Sequence, residues 1–285
     1  MKHFLQKRFN IQYNGRLVDL SKPVAMGILN VTPDSFYARS RANSPDDIAA
    51  RAHQILHEGG QIIDIGAYSS RPNAADVSEQ EEIGRLADAL EIIKAKFPDA
   101  IVSVDTFRSG VVQNVVHTFG PVIVNDISGG LLDDKMFDTV AKLSLPYILM
   151  HMRGTPQTMQ QLTRYDNLLN DIMLDLSKKV NILHLKGVAD VIIDPGFGFA
   201  KTIEQNFELL QKLDNFKIFE LPLLVGLSRK STVYKTLGVQ ADQALNGTTT
   251  LNTIALMKGA NILRVHDVKA ATESIKLVSK VTGEG

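Results

Sequence analysis

Val24-Ala25-Met26-Gly27-Ile28-Leu29-Asn30 decides the fold: six residues without a polar side chain, closed by an amide. A strand with one wet face alternates polar and apolar residues. A strand covered on both faces, as in a parallel sheet flanked by helices, reads instead as an apolar run. Working outward, a polar stretch (37–45) leads into a helical pattern over 46–58, Gly59-Gly60 stops it, and a second run follows at 62–65. The cycle repeats, with apolar runs at 101–104, 122–124, 147–150, 191–193, 221–227 and 262–265. Helical stretches at 79–96, 167–185 and 204–213 lie between them, and Leu168, Ile172, Leu176 and Val180 share one helix face in the second of these. Eight strands alternating with helices predict a parallel sheet, and eight is the number that closes a (β/α)8 TIM barrel. An open doubly wound sheet is the competing architecture, but the Gly-x-Gly-x-x-Gly turn is absent after the first strand. Upstream, Phe9, Ile11 and Tyr13 alternate and Asn14-Gly15 supplies a turn. The expectation is one domain over 1–285, with a hairpin in 1–22 and the barrel in 23–285.

The 285 residues suit such a barrel, which takes about 250. Lys plus Arg and Asp plus Glu both number 31, so the net charge is zero and electrostatics offers no case for a nucleic-acid or membrane partner. The absence of cysteine excludes disulfides, thiolate nucleophiles and Cys-ligated metals. No run approaches the roughly 18 apolar residues of a membrane span, and the first 22 residues lack a signal-peptide pattern; the expected compartment is the cytoplasm.

In α/β barrels, chemistry sits where each strand meets its following loop. Read in order, these positions are Asn30, Ser69-Ser70-Arg71-Pro72, Asp105, Asn125-Asp126, His151, Asp194, Ser228-Arg229-Lys230-Ser231 and Arg264-Val265-His266-Asp267. Singly, each has an ordinary explanation. Asp105 or Asp194 could cap a helix, His266 could be a satisfied core histidine, and Arg71 and Lys230 could be solvated charges. Together they divide into two sets. Arg71, Lys230, Arg264 and His266 form a cationic group suited to phosphate oxygens, while Asp105, Asn125 and Asp194 form acceptors for a planar ligand rich in N–H donors. No spacing marks an all-protein metal cage, although Asn30 with Asp34 could hold a Mg2+ that completes its shell from substrate phosphates and water. The loops at 37–45 and 67–76 lie on the catalytic face, where closure over a substrate is expected.

These segments resemble the dihydropteroate synthase family from about Val24 to His266. The motifs fall in barrel order: 27–36, 62–72, Ser103-Val104-Asp105-Thr106, 125–130, 150–154, Asp194-Pro195-Gly196-Phe197-Gly198-Phe199, 228–231 and 264–267. The resemblance implies condensation of a dihydropterin methyl diphosphate with 4-aminobenzoate, releasing diphosphate, in folate biosynthesis. It implies that Asp105, Asn125, Asp194 and Lys230 hold the pterin, and that Asn30, Arg71, Arg264 and His266 hold the diphosphate. Asn30 would ligate Mg2+. Ser70, Pro72, Phe199, Lys230 and Ser231 would frame the aminobenzoate, with Asp105, Lys230, Arg264 and His266 as the catalytic group. It further implies a homodimer, with residues 245–257 apolar enough to contribute, and a sulfonamide target. Two segments depart from the family pattern: Tyr37-Ala38-Arg39-Ser40 replaces an Asp-Gly-Gly-like stretch, and Ala67-Tyr68-Ser69-Ser70 replaces Gly-Glu-Ser-Thr. Three readings compete: a pterin-binding methyltransferase barrel, which needs no diphosphate set; an inactive pterin-binding relative, which should have lost a catalytic position; and a Schiff-base aldolase barrel, which needs a lysine within a strand.

Overall fold

Asn14 and Gly15 turn the chain at φ of 47° and 75°, the pair of left-handed residues that a two-residue hairpin turn requires. They join β1 (Asn10–Tyr13) to β2 (Arg16–Asp19), which pair antiparallel from Tyr13↔Arg16 to Asn10↔Asp19. This is a computed structural model, and it describes residues 9–32, 44–68 and 77–283. Asp34, Ser70, Arg71, Pro72 and most of the two loops expected over the catalytic face lie outside the described residues.

The predicted apolar runs become β3 (Val24–Asn30), β4 (Ile62–Gly66), β5 (Ile101–Asp105), β6 (Ile123–Asp126), β7 (Tyr147–Met150), β8 (Val191–Asp194), β9 (Leu224–Val225) and β10 (Ile262–Val265). They form one parallel sheet in the order β8-β7-β6-β5-β4-β3-β10-β9. A parallel bridge between Ile193 and Leu223, with Ile193 N–H donating to Pro222 O at 2.9 Å, brings the two ends of that order together. The expected barrel is therefore present. The run expected at 221–227 shrinks to two residues in β9, since Pro222 has no N–H to give a ladder.

Helices α1 (Pro45–His57), α2 (Glu79–Lys96), α3 (Ser109–Phe119), α4 (Met136–Lys142), α5 (Leu168–Leu185), α6 (Ile203–Gln211), α7 (Ser231–Leu237), α8 (Leu245–Met257) and α9 (Val268–Thr282) connect the strands. Ser44, Ser78, Asn167 and Thr202 cap four of them, each accepting from the backbone N–H three residues on. The helix expected at 204–213 stops at Gln211, and a tighter 3-10 turn follows over Leu213–Phe219. Arg108 and Thr202 occupy the N-cap positions of α3 and α6, so neither Asp105 nor Asp194 is spent on capping.

Strand residues alternate between two cores. Outward-facing Ala25, Ile63, Val102, Val124, Leu149, Ile193 and Leu263 pack under the helices. Inward-facing Val24, Met26, Ile62, Ile123, Ile148, Ile192, Leu224 and Ile262 fill one end of the barrel together with Ile11, Tyr13 and Leu20 from the hairpin. The Tyr13 hydroxyl accepts from Val102 N–H at 3.1 Å, which anchors the plug to the barrel wall.

Candidate active site

Two residues further along each strand, the same inward face changes character. Ile62, Ile123, Ile192 and Ile262 are succeeded by Asp64, Asn125, Asp194 and Arg264, and Asp105 closes β5 beside them. Period-two geometry puts all five at the mouth formed by the strands' carboxyl ends.

Arg264 organises the centre. Its Nε donates to Asp64 Oδ2 at 2.6 Å and its Nη2 to Asp105 Oδ2 at 2.6 Å; neither bond uses Nη1. Asn125 Nδ2 donates to both Asp64 oxygens, at 3.3 and 3.2 Å, which turns its own carbonyl oxygen away as an acceptor. Asp64 is completely buried. It lies inside the run read from the sequence as apolar, and it was missed as a site residue. The available signal was a carboxylate two places after an inward isoleucine, in step with Asn125, Asp194 and Arg264.

Burial sets the electrostatics. It raises the Asp105 carboxyl to about 7, with Arg264 opposing and Asp64 reinforcing the rise. Burial likewise raises Asp194, against the pull of Lys230. The Lys230 ammonium is lowered to about 8, again chiefly by burial, with Asp194 working the other way. Burial disfavours the Arg264 charge, but Asp64 and Asp105 outweigh it and hold that pKa above the ordinary arginine value. The mouth thus holds two groups poised near neutral pH, a common feature of catalytic sites.

Lys230 Nζ donates to the Phe197 carbonyl and lies 4.8 Å from the centre of the Phe199 ring. An atom placed as a Cβ on Gly226 would sit 3.6 Å from Lys230 Nζ and 4.0 Å from Arg264 Cβ, so the lysine enters the same mouth. Ser231 follows as the first residue of α7. Asn30 closes β3 opposite Gly66: a Cβ there would lie 3.2 Å from Asn30 Oδ1 and 3.8 Å from Asp105 Oδ2. The missing side chain leaves the amide and the carboxylate facing one space. His266 Nδ1 lies 3.0 Å from Ser228 Oγ, which also accepts from His266 N–H at 3.2 Å. In the tautomer with its proton on Nε2, Nδ1 accepts the Ser228 hydroxyl proton and Nε2–H is the ring's donor. Burial, then Arg264 and other nearby cations, lower His266 to about 3. The histidine grouped with the cations by its place in the sequence is thus neutral at pH 7, first because it is buried and then because cations surround it.

Two strand-end residues serve the scaffold. Arg229 sits at φ 53°, turned away from Lys230, and grips Asp267 through two bonds of 2.7 and 2.9 Å and the carbonyls of Ala241 and Asp242. Asp126 accepts from Ser128 N–H, Gly130 N–H and the Tyr147 hydroxyl, which shapes the loop after β6. Arg51, also unforeseen, reaches from α1 to the carbonyls of Ile28 and His266 at 3.1 and 2.7 Å and fixes the β10 end of the mouth.

Comparison with known proteins gives the family. The sequence profile of the pterin-binding enzymes matches residues 26–266. The chain is 41% identical to the dihydropteroate synthase of Haemophilus influenzae over 266 residues, covering 93% of this chain and 96% of the relative. Its fold is similar to the Yersinia pestis dihydropteroate synthase solved with a sulfonamide drug, with a TM-score of 0.91 and 40% identity over 96% of this chain and all of that one. It is also similar to the Xanthomonas albilineans dihydropteroate synthase solved with 4-aminobenzoic acid, with a TM-score of 0.86 and 32% identity over 97% and 98% of the two chains.

Proposed function

Since this chain belongs to the dihydropteroate synthase family of pterin-binding enzymes, we propose that its barrel mouth joins the methylene of a dihydropterin diphosphate to the amine of 4-aminobenzoate. The products are dihydropteroate and diphosphate, and the activity is a transferase step in folate biosynthesis. The observation that carries the reading is the buried array of Asp64, Asp105, Asn125 and Arg264 facing Lys230 and Asp194.

The acceptors take the pterin. Asp194 and the Asn125 carbonyl receive its N–H donors, and a carboxylate facing an amino-substituted ring edge accepts two parallel bonds. Ionised Asp105 lies where positive charge shared by ring and methylene is stabilised. An aromatic amine is neutral at pH 7 and needs no base before attack, so the barrier lies in expelling diphosphate. Arg264 through Nη1, His266 through Nε2–H, and Arg71 hold that leaving group. Holding the reactants in line while stabilising the departing charge supplies most of the catalysis. Lys230, between Asp194 and the Phe199 ring, borders both substrates, and Ser70, Pro72, Phe199 and Ser231 frame the aminobenzoate. The same pocket makes the protein a sulfonamide target.

Asn30 fits Mg2+. Its amide oxygen is a hard donor beside the Asp105 carboxylate, and Mg2+ is commonly held by one or two protein oxygens plus substrate phosphates and water. When bound, the ion would offset charge gathering on the leaving diphosphate.

The proposal extends to a cytoplasmic homodimer. No helix among the described residues is long and apolar enough to cross a membrane. Leu237, Leu245, Ile254, Met257, Leu277 and Val281 on α7–α9 are exposed, an apolar surface suited to a second copy. Sedimentation of the purified protein tests this, and a monomer at micromolar concentration would overturn it.

The decisive assay supplies the pterin diphosphate, Mg2+ and 4-aminobenzoate, and follows diphosphate release and dihydropteroate formation. Turnover is expected. Intact pterin binding without turnover would identify an inactive pterin-binding relative instead.

A further inference from the structure

Residues 195–200 leave β8 in an unusual backbone: Gly196, Gly198 and Ala200 have φ of 74°, 81° and 48°. Side chains rarely tolerate this conformation, and at Gly196 a Cβ would also lie 2.0 Å from the His151 carbonyl oxygen. The alternation turns the Gly196 and Phe199 carbonyls toward one point, and Lys201 Nζ occupies it. The amine donates to Gly196 O at 2.9 Å and to Phe199 O at 3.0 Å, and lies 3.2 Å from His151 Nδ1. Lys201 is only 4% exposed. Burial, with Lys201 and other cations near it, lowers His151 to about 2, so the ring that faces the amine is neutral. Burial lowers the Lys201 amine to about 7, with Asp194 working the other way; a buried amine without partners would be costly, and here three polar atoms converge on it.

Other side chains hold the same loop from its far side. Asn206 Oδ1 accepts from Gly198 N–H at 2.7 Å, and the Tyr165 hydroxyl donates to Ala200 O at 3.0 Å. The working face of the loop is the Phe197 carbonyl bound by Lys230 and the Phe199 ring beneath that amine. Lys201 gives its hydrogen bonds to this loop rather than to Lys230, and no step of the proposed condensation uses it.

We propose that Lys201 is a positioning residue for the second substrate: by drawing the Gly196 and Phe199 carbonyls onto one amine, it sets where the Phe199 ring meets Lys230. The assignment to aminobenzoate rests on the condensation reading. Asp194 accepts from Gly196 N–H of this loop at 2.8 Å and feels the Lys201 charge, but its backbone is held in β8, so the pterin contact should change less than the aminobenzoate contact.

Lys201→Met keeps the length of the side chain and removes its donors. The expected result is a KM for 4-aminobenzoate raised about tenfold, with kcat changed less than about threefold and pterin diphosphate affinity, read by calorimetry, within about threefold. Lys201→Arg, which restores charge and donors, should recover most of the KM. Amide exchange across 195–200 should accelerate in the methionine variant. An unchanged KM, or equal losses for both substrates, overturns the proposal. If Lys201→Met does not fold, Lys201→Gln, with two donors on a shorter stem, takes the same test. If the unaltered protein shows no turnover, the condensation reading fails, and exchange across 195–200 then decides alone: faster exchange in the variant sustains the hold of Lys201 on the loop, and unchanged exchange overturns it.

Discussion

The two ends of this barrel are built on the same strand faces and obey opposite rules. At the hairpin end, Ile62, Ile123, Ile148, Ile192, Leu224 and Ile262 close the interior with Ile11, Tyr13 and Leu20 in one apolar cluster. One pleat repeat higher, Asp64, Asp105, Asn125, Asp194 and Arg264 occupy the corresponding positions. A fully buried isoleucine stabilises the fold by about 1.5–3 kcal/mol, whereas a buried ion is costly to desolvate and is tolerated only when paired. The hairpin end holds the barrel together, and the mouth uses part of that stability to keep charges dry. A cavity of about 440 Å³ beside the hairpin, lined by Arg16, Lys94 and Asp99 among others, sharpens the point. It has room for a ligand, but the described residues place no converging set of buried charged groups there.

The largest break in this contrast should come from Arg264→Met. It strands Asp64 and Asp105 without their cation, and unfolding free energy should drop by about 3 kcal/mol. In turnover, kcat/KM should fall by about a thousandfold, since a group serving both the carboxylates and the leaving diphosphate is lost. A variant that melts normally and turns over within tenfold of the parent would refute the central role given to this residue. Ile192→Ala tests the other end, two residues from Asp194 on the same face. Chemical denaturation should report a loss of about 2–5 kcal/mol, while kcat/KM in the folded protein stays within about twofold. Asp194→Ala should do the reverse: pterin affinity falls about a hundredfold, while stability falls less than in Ile192→Ala, because losing a desolvated carboxylate offsets the lost bond from Gly196 N–H. Unchanged affinity would show that the ring is read elsewhere.

The smallest effect is one of pH. Asp105 must be ionised and Lys230 protonated, so kcat/KM should fall below about pH 7 as the first gains a proton and above about pH 8 as the second loses one. Lys230→Arg should carry the alkaline limb out of range and leave the acid limb in place. If the alkaline limb does not move, the lysine does not set it.

Much of the mouth was legible along the chain. Asp105, Asn125, Asp194, Lys230 and Arg264 are polar residues ending or following apolar runs, and the barrel rule tells where such residues go. Asp64 was hidden because one carboxylate does not change the look of an Ile-Ile-Asp-Ile run, and its inward direction follows only once Ile62 is seen to face the barrel interior. Lys201 and Arg51 were hidden for another reason. Arg51 binds the carbonyls of Ile28 and His266, far off in sequence, and Lys201 binds those of Gly196 and Phe199 in its own loop; in both cases the partner is a backbone carbonyl, which carries no signature of its own.

Sequence by itself determined the parallel strands, their number, the hairpin turn and the ends that carry chemistry, because these follow from local patterns with periods of two and 3.6 residues. The tertiary structure alone decided which charges meet. It joined Arg264 to Asp64 and Asp105, sent Arg229 to Asp267 while its neighbour Lys230 entered the mouth, and left His266 neutral among cations. Those outcomes depend on burial and on distances of a few ångströms across strands far apart in the chain, where electrostatic energies are largest and sequence spacing says least.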